Sequence, residues 1–371
     1  MNKAEAIKQN RTARRMNAQF FKTITIALLF LMIQVLSACT AENISGNEIQ
    51  DSSKGEADFF AMDTYITLTA YGEHADSVLS QAKDKIAALE RLWSVTDENS
   101  EIYAVNHANG QLVTVSEDTA ELLAFALDMA DRTNGALEPT IYPILTAWGF
   151  TTGKHQVPSA EKIKELLNKV GYNKVIQKEN TVQLPDGMML DLGAVGKGCA
   201  GDIIAGLLRE NGISSALLDI GGSNIQVIGG KPDGSDWRLG LRDPFGEGNV
   251  GVLTVRDAAV VTSGNYERYF IGDDGVQYGH IIDPFTGYPA ESGLMSVTVI
   301  GKEGRLCDAL STAFFVMGLE KAADDWRKNG GFELILITEA GELYLTEGVL
   351  DSFVLDSYHS NMKIHVIYSE N

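Results

Sequence analysis

The stretch Met188-Met189-Leu190-Asp191-Leu192-Gly193-Ala194-Val195-Gly196-Lys197-Gly198-Cys199-Ala200-Gly201 constrains this chain more than any other. Three apolar residues lead to Asp191, glycines fall at 193, 196 and 198 around Lys197, and a helical pattern follows to about Asn211. This order predicts a strand that stops, a tight glycine turn, and a helix whose first amides face back across the turn. Unpaired N–H groups and the positive end of a helix attract an anion, usually a phosphate. A second reading needs no ligand: a strand–helix connection in which glycine serves packing alone. The GxxxxGK[ST] spacing is absent, which argues against a P-loop.

The chain has 371 residues, 44% hydrophobic and 22% charged, enough for one large core or two. Its beginning reads as an export leader. Lys3, Lys8, Arg11, Arg14, Arg15 and Lys22 accompany an apolar run from Ile24 to Leu36, and Leu36-Ser37-Ala38-Cys39 closes it. The run is too short to span a bilayer, and a small-residue site ending in cysteine resembles a bacterial lipobox. The expectation is a signal peptide at 1–38, a lipidated Cys39, a polar tether at 39–57 and one folded unit at 58–371. That places the protein outside the cell, lipid-anchored to the outer face of the bacterial cytoplasmic membrane.

Of 30 basic and 50 acidic residues, six and one lie in the leader, so 24 and 49 remain and the mature chain carries −25. This balance argues against nucleic acid as a partner and against anionic lipid as the means of attachment. With Cys39 modified, Cys199 and Cys307 remain, both in apolar helical contexts, and free thiols are expected.

Along the chain, residues 65–71 alternate as a strand and 75–93 place Val78, Leu79, Ala82, Ile86, Leu89 and Trp93 on one helical face. Residues 100–109 read as a polar loop. Ser116 or Asp118, and Ser159, are expected to cap helices, and the fold is expected to begin near Phe59. Glu138-Pro139-Thr140 and Tyr142-Pro143 are expected to break regular structure. Strands are expected near 215–220, 225–228, 237–241, 251–255, 259–262 and 296–300, a helix at 306–317, and a hairpin over 332–346. Without strict βαβ alternation, this mixture predicts an α+β fold.

Two further places carry chemistry. Asp308 and Thr312 stand four apart on an expected helix, so a carboxylate and a hydroxyl share one face, hard oxygen ligands that suit Mg²⁺. An acidic residue in the first turn, favoured by the helix dipole, is the plainer account of Asp308. His280 sits in a Gly/Pro-bounded loop near Asp283, as a surface histidine or a titrating one. None of the six histidines has zinc spacing, and no GxSxG elbow is present.

Taken together, the strings Met62-Asp63-Thr64, Ser100-Glu101-Ile102, Gly135-Ala136-Leu137-Glu138-Pro139-Thr140, Asp191 to Gly198, Gly221-Gly222, Thr262-Ser263-Gly264-Asn265-Tyr266, His280 to Pro289 and Asp308…Thr312 resemble the ApbE family of FAD:protein FMN transferases, often exported lipoproteins. The likeness covers about residues 58–348. It implies an α+β, T-fold-like single catalytic unit of mixed and antiparallel sheets with packed helices. It also implies a Mg²⁺-dependent enzyme that moves FMN from FAD onto a threonine hydroxyl of an acceptor flavoprotein, releasing AMP.

By the same resemblance, Asp308, Thr312, the Ala194 carbonyl and, more weakly, Ser311 would hold the metal. FAD would meet Met62, Thr96, Ala136, Leu137, Glu138, Asp191, Lys197 and Ile282, and His280 and Asp308 would be catalytic. The family's usual Phe-Asp is here Leu137-Glu138, and Thr96 stands where Tyr is frequent, so details of flavin contact differ. Two alternatives share the site: a Mg²⁺-dependent FAD pyrophosphatase that uses water, and a lipid-anchored flavin-binding protein that leaves FAD intact.

Overall fold

Nine strands with alternating apolar residues form one sheet in the computed structural model, which describes residues 53–369. They are β1 (Lys54–Ala61), β2 (Thr64–Tyr71), β3 (Ser215–Ile220), β4 (Asn224–Ile228), β5 (Ala258–Gly264), β6 (Leu294–Gly301), β7 (Phe332–Thr338), β8 (Leu343–Thr346) and β9 (Ile364–Ile367). Across the sheet they follow their order along the chain. Neighbours are antiparallel throughout except β8 and β9, which run parallel with Leu343 opposite Ile364.

Alternation sorts the side chains to two faces. Val261, Val297, Val299, Leu334 and Leu336 join a core shared with helices. Val260, Ile300, Ile335 and Ile337 point the other way, onto a three-stranded sheet of Trp237–Arg242, Asn249–Val255 and Phe353–Leu355. Each such aliphatic side chain taken from water contributes about 1.5–3 kcal/mol.

The helices are α1 (Ala75–Trp93), α2 (Glu101–Asn106), α3 (Glu117–Arg132), α4 (Tyr142–Trp148), α5 (Ala160–Leu167), α6 (Gly193–Glu210), α7 (Gly304–Met317) and α8 (Leu319–Asn329). Ser116 and Ser159 cap α3 and α5 as expected, accepting from the N–H groups of Thr119 and Lys162. Helices α6 and α7 lie side by side on the sheet. Cys199 and Cys307 are both free thiols, and burial pushes Cys199 up to about 12. No described helix is long and apolar enough to cross a membrane.

Several sequence expectations need correction. Strand β1 starts at Lys54 and pairs residue by residue with β2, so the expected tether at 39–57 and the domain start at 58 run too far along the chain. Polar residues on its open side hid it. The leader and Cys39 lie outside the described residues. The expected loop 100–109 contains α2, capped by Ser100, which accepts from Tyr103 N–H at 2.9 Å. Pro143 does not break structure but opens α4, where a first-turn residue needs no N–H partner.

The glycine turn is also corrected. Met188–Leu190 form no strand; Met189 makes only a bridge to Ile141, and α6 begins at Gly193. Gly196, Gly198 and Gly201 have the spacing of a dinucleotide fingerprint, yet all three lie inside the helix rather than at a turn. They are there for close approach. A Cβ at Gly198 would collide with the Gly304 carbonyl of α7, and one at Gly201 with the Gln226 amide of β4.

Overpacking a tight contact of this kind costs about 1–3 kcal/mol. Gly198→Ala is therefore expected to lower stability by that amount in chemical denaturation. An unchanged midpoint would mean the two helices are not held at contact distance.

Candidate active site

The close approach of α6 and α7 puts a helix backbone against a carboxylate. Gly198 N–H donates to Asp308 Oδ2 at 2.8 Å. In a regular helix that N–H belongs to the carbonyl four residues back, which is Ala194. Asp308 thus draws on the donor that would satisfy the Ala194 carbonyl, in the half-buried first turn of α6. Asp308 is buried, and burial raises its carboxyl pKa, opposed first by the Lys197 charge and then by the Gly198 N–H. Ser311 and Thr312 stand one turn on from Asp308 along α7. Ser263, near the end of β5, reaches both, with its Oγ 2.9 Å from Ser311 Oγ and 3.3 Å from Thr312 Oγ1.

Asp191 precedes α6. Its Oδ1 accepts from Gly193 N–H at 2.7 Å, and its own N–H donates to the Pro139 carbonyl at 2.8 Å. The second bond seats the 136–140 segment beside the start of α6. Burial raises the Asp191 carboxyl pKa, while the Gly193 N–H, Lys197 and Arg268 pull it down. Glu138 is fully occupied: Oε1 accepts from Thr140 N–H at 2.9 Å and Thr140 Oγ1 at 2.6 Å within its loop, and Oε2 from Tyr172 N–H at 2.9 Å in the turn after α5. Its carboxylate therefore shapes the loop. Ala136 and Leu137 are buried in the main core.

His280 follows a small hairpin of Tyr269–Ile271 and Gln277–Gly279. Its Nδ1 lies 3.1 Å from the Arg268 carbonyl. A carbonyl only accepts, so Nδ1 carries the proton and Nε2 keeps its lone pair. Desolvation, then the charges of Arg268 and Lys197, lower the imidazole pKa to about 4. The Arg268 guanidinium reaches across to the β1–β2 turn, donating to both the carbonyl and Oδ2 of Asp63 at 2.8 Å. That two-residue turn puts Met62 and Asp63 at φ of 51° and 57°, a left-handed pair usually given to Asn and Gly. Met62 N–H is held by Glu90 Oε1 at 2.8 Å.

Lys197 therefore acts on Asp191, Asp308 and His280 together, and Arg268 on Asp191 and His280. A cationic pair set among carboxylates, hydroxyls and a neutral imidazole suits a polyanionic ligand with its own counter-ion. The family model for ApbE matches residues 62–336, which contain every one of these groups. The chain belongs to the ApbE family.

Two relatives measure the likeness. One is the FAD:protein FMN transferase of Treponema pallidum (strain Nichols), 36% identical over 288 residues, spanning 72% of this chain and 79% of that one. The other is the FAD:protein FMN transferase of Klebsiella pneumoniae (strain 342), 34% identical over 292 residues, 77% and 89% of the two chains. Among solved structures, the ApbE protein of Thermotoga maritima MSB8 superposes with a TM-score of 0.74 at 34% identity, covering 80% of this chain and 98% of that one. The α+β architecture expected from the sequence is the ApbE fold.

Within this ApbE chain, Asp191, Ala194, Lys197, His280, Asp308, Ser311 and Thr312 are gathered by the bonds and charges above. Met62 joins them through Asp63 and Arg268. Two expected residues stand apart. Thr96 is exposed in a turn, its N–H bonded to Ser94 Oγ at 3.2 Å. Ile282 is buried with Trp148 and Ile144 in a side core. Sequence reasoning missed Arg268 and Glu90, which touch the site across 205 and 28 residues of chain. No local spacing marks them. Ser263 lay within a recognised string but carried no assigned role.

Because folded His280 titrates near 4 and an unfolded histidine near 6.5, the unfolded chain takes up a proton the folded one refuses. Wild type is expected to lose stability relative to His280→Asn as pH falls from about 6.5 to about 4, with no further divergence below. Denaturant midpoints across that range check it. Parallel pH curves would show that His280 titrates alike in the folded and unfolded chain, so that burial does not lower its pKa.

Proposed function

We propose that this protein transfers FMN from FAD to a threonine hydroxyl of an acceptor flavoprotein, with Mg²⁺ and with release of AMP. The observation that carries this is the bond from Gly198 N–H of α6 to the buried Asp308 carboxylate of α7, with the Lys197 charge acting on that carboxylate and Thr312 four residues on along the same helix. The relatives above are FAD:protein FMN transferases by name, which supports the transfer of FMN from FAD to a protein.

The donor set fits the cation. No group of three or more His, Cys, Asp or Glu suited to a metal occurs among the described residues. Mg²⁺ needs none: it takes one or two carboxylates with neutral oxygens and completes its shell with water and substrate phosphate. Asp308, Thr312 and the Ala194 carbonyl would hold it, with Ser263 placing the Thr312 hydroxyl and Ser311 bonded in turn to Ser263. When bound, the ion neutralises charge that builds on the pyrophosphate.

The protein's own groups do the rest. Lys197 holds phosphate oxygens, and the Met62 turn and 136–140 segment bound the flavin side. The acceptor oxygen attacks the FMN-side phosphorus, and a new P–O bond forms. The P–O bond to the bridging oxygen breaks, and AMP leaves with that oxygen. His280 Nε2 takes the hydroxyl proton, and the Arg268 carbonyl keeps the imidazole in the tautomer that can accept it. Catalysis of this kind is mainly positioning and charge stabilisation.

The acceptor is proposed to be an extracytoplasmic or membrane flavoprotein. Anchoring of the enzyme through a lipid on Cys39 would put it on the same side of the membrane, and the order of the leader supports this. Intact-mass measurement of the membrane-extracted protein tests the anchor: a chain beginning elsewhere than a diacylated Cys39 rejects it.

Incubation with FAD, Mg²⁺ and a threonine-bearing acceptor is expected to yield a covalent FMN adduct and stoichiometric AMP by mass spectrometry. Free FMN with AMP and no adduct would make the enzyme a pyrophosphatase, and unchanged FAD would make it a binding protein. Asp308→Ala is expected to reduce turnover by about 10²–10³, the range for loss of one group that stabilises transition-state charge. Lys197→Met should raise KM for FAD while leaving the Mg²⁺ requirement in place.

A further inference from the structure

Strand β4 presents two amides to the α6–α7 seam. Gln226 and Asn224 are two residues apart, so they share a face. Gln226 Nε2 donates to the Gly198 carbonyl at 3.1 Å and is thereby anchored. Asn224 is different. It is fully buried; its Oδ1 has no hydrogen-bond partner among the described residues, and its Nδ2 makes no well-formed bond but faces the Asp308 carboxylate closely enough to favour the ionised acid. Buried amides are almost always bonded, and one left unbonded is costly.

Register fixes where this amide points. Asn224 stands directly opposite Val261 in the β4–β5 pair, and Val261 packs into the core shared with the helices. Ser263, two residues beyond Val261 on the same face, touches Ser311 and Thr312. Asn224 thus lies between the Gln226 anchor and the hydroxyl cluster, and the carboxylate it faces is Asp308. An ionised carboxylate only accepts, so the Nδ2 side turns toward Asp308 and Oδ1 is left over.

We propose that Asn224 is a positioning residue of the cation site: its Nδ2 holds the Asp308 carboxylate, and its Oδ1 accepts from the water shell of the bound divalent cation. The proposal rests on the reading that Asp308 and Thr312 hold that cation. The Asn224 Oδ1 is then unsatisfied in the metal-free chain and satisfied in the metal-bound one. Gly222, just before it, adopts φ of 73° and Gly221 82°, so the turn that delivers Asn224 to β4 is one that glycine allows most easily.

The test uses Mn²⁺ as the probe, read by the electron paramagnetic resonance of free ion, on the mature protein without FAD. Wild type is expected to bind one ion that Mg²⁺ displaces, and Asp308→Ala to lose it. Asn224→Ala and Asn224→Leu are expected to raise the Mn²⁺ Kd about tenfold or more, the usual cost of removing a partner of a metal ligand. Their metal-free thermal midpoints are expected to stay close to that of wild type, because Oδ1 has no bond to lose there and Asp308 keeps the Gly198 N–H.

A Kd within twofold of wild type, or a Kd that rises only together with a lowered metal-free midpoint, overturns the positioning role while leaving the cation site intact. Failure of both variants to fold does so too, since it makes the amide a packing element. Absence of Mn²⁺ binding in wild type overturns the cation reading itself and this proposal with it.

Discussion

The contact on which the site depends is a single backbone donor, Gly198 N–H, bonded to the Asp308 carboxylate across two touching helices. A side chain on Gly198 or Gly304 would separate them. At that distance the carboxylate competes for a donor that α6 would otherwise use internally. One small residue thus sets the spacing of two helices, the ionisation environment of a buried acid and the availability of a carbonyl.

Electrostatics at the site run against those of the chain as a whole. The sequence has far more acidic than basic residues, yet Lys197 and Arg268 are the charges that reach Asp191 and His280. Burial raises the carboxyl pKa values and lowers that of the imidazole, while the two cations favour ionised acids and a neutral base. On the proposed function, a doubly charged pyrophosphate and its counter-ion would enter a locally prepared spot on a chain whose net charge otherwise repels anions.

Much of this was legible in the sequence, and the failures have physical causes. Alternation and capping located the strands and helices that bury one clean face, such as β3, α1 and the α5 start at Ser159. Strand β1 escaped because its exposed positions carry Lys54, Glu56 and Asp58, and α2 because its polar residues mask Ile102 and Val105. The glycines of the Asp191–Gly201 stretch pointed to close approach, but what approaches is helix α7. Spacing along α7 made Asp308 and Thr312 visible as a pair. Arg268, Glu90 and Asn224 were not visible, since each acts across the fold on a partner far away in sequence.

The order of the sheet has a kinetic side. Its strands are neighbours in space because they are neighbours along the chain, except that β2 and β3 are separated by everything from Gly72 to Ser214, including α1 to α6. Closing that interval is the single large loop-entropy step in an otherwise local meander. Helix α6 sits at its far end, and β4, β5 and β6 lie between it and α7 along the chain. The groups proposed to meet the pyrophosphate are therefore drawn from both sides of long chain intervals, and a chain in which those intervals stay open would have no grip on FAD.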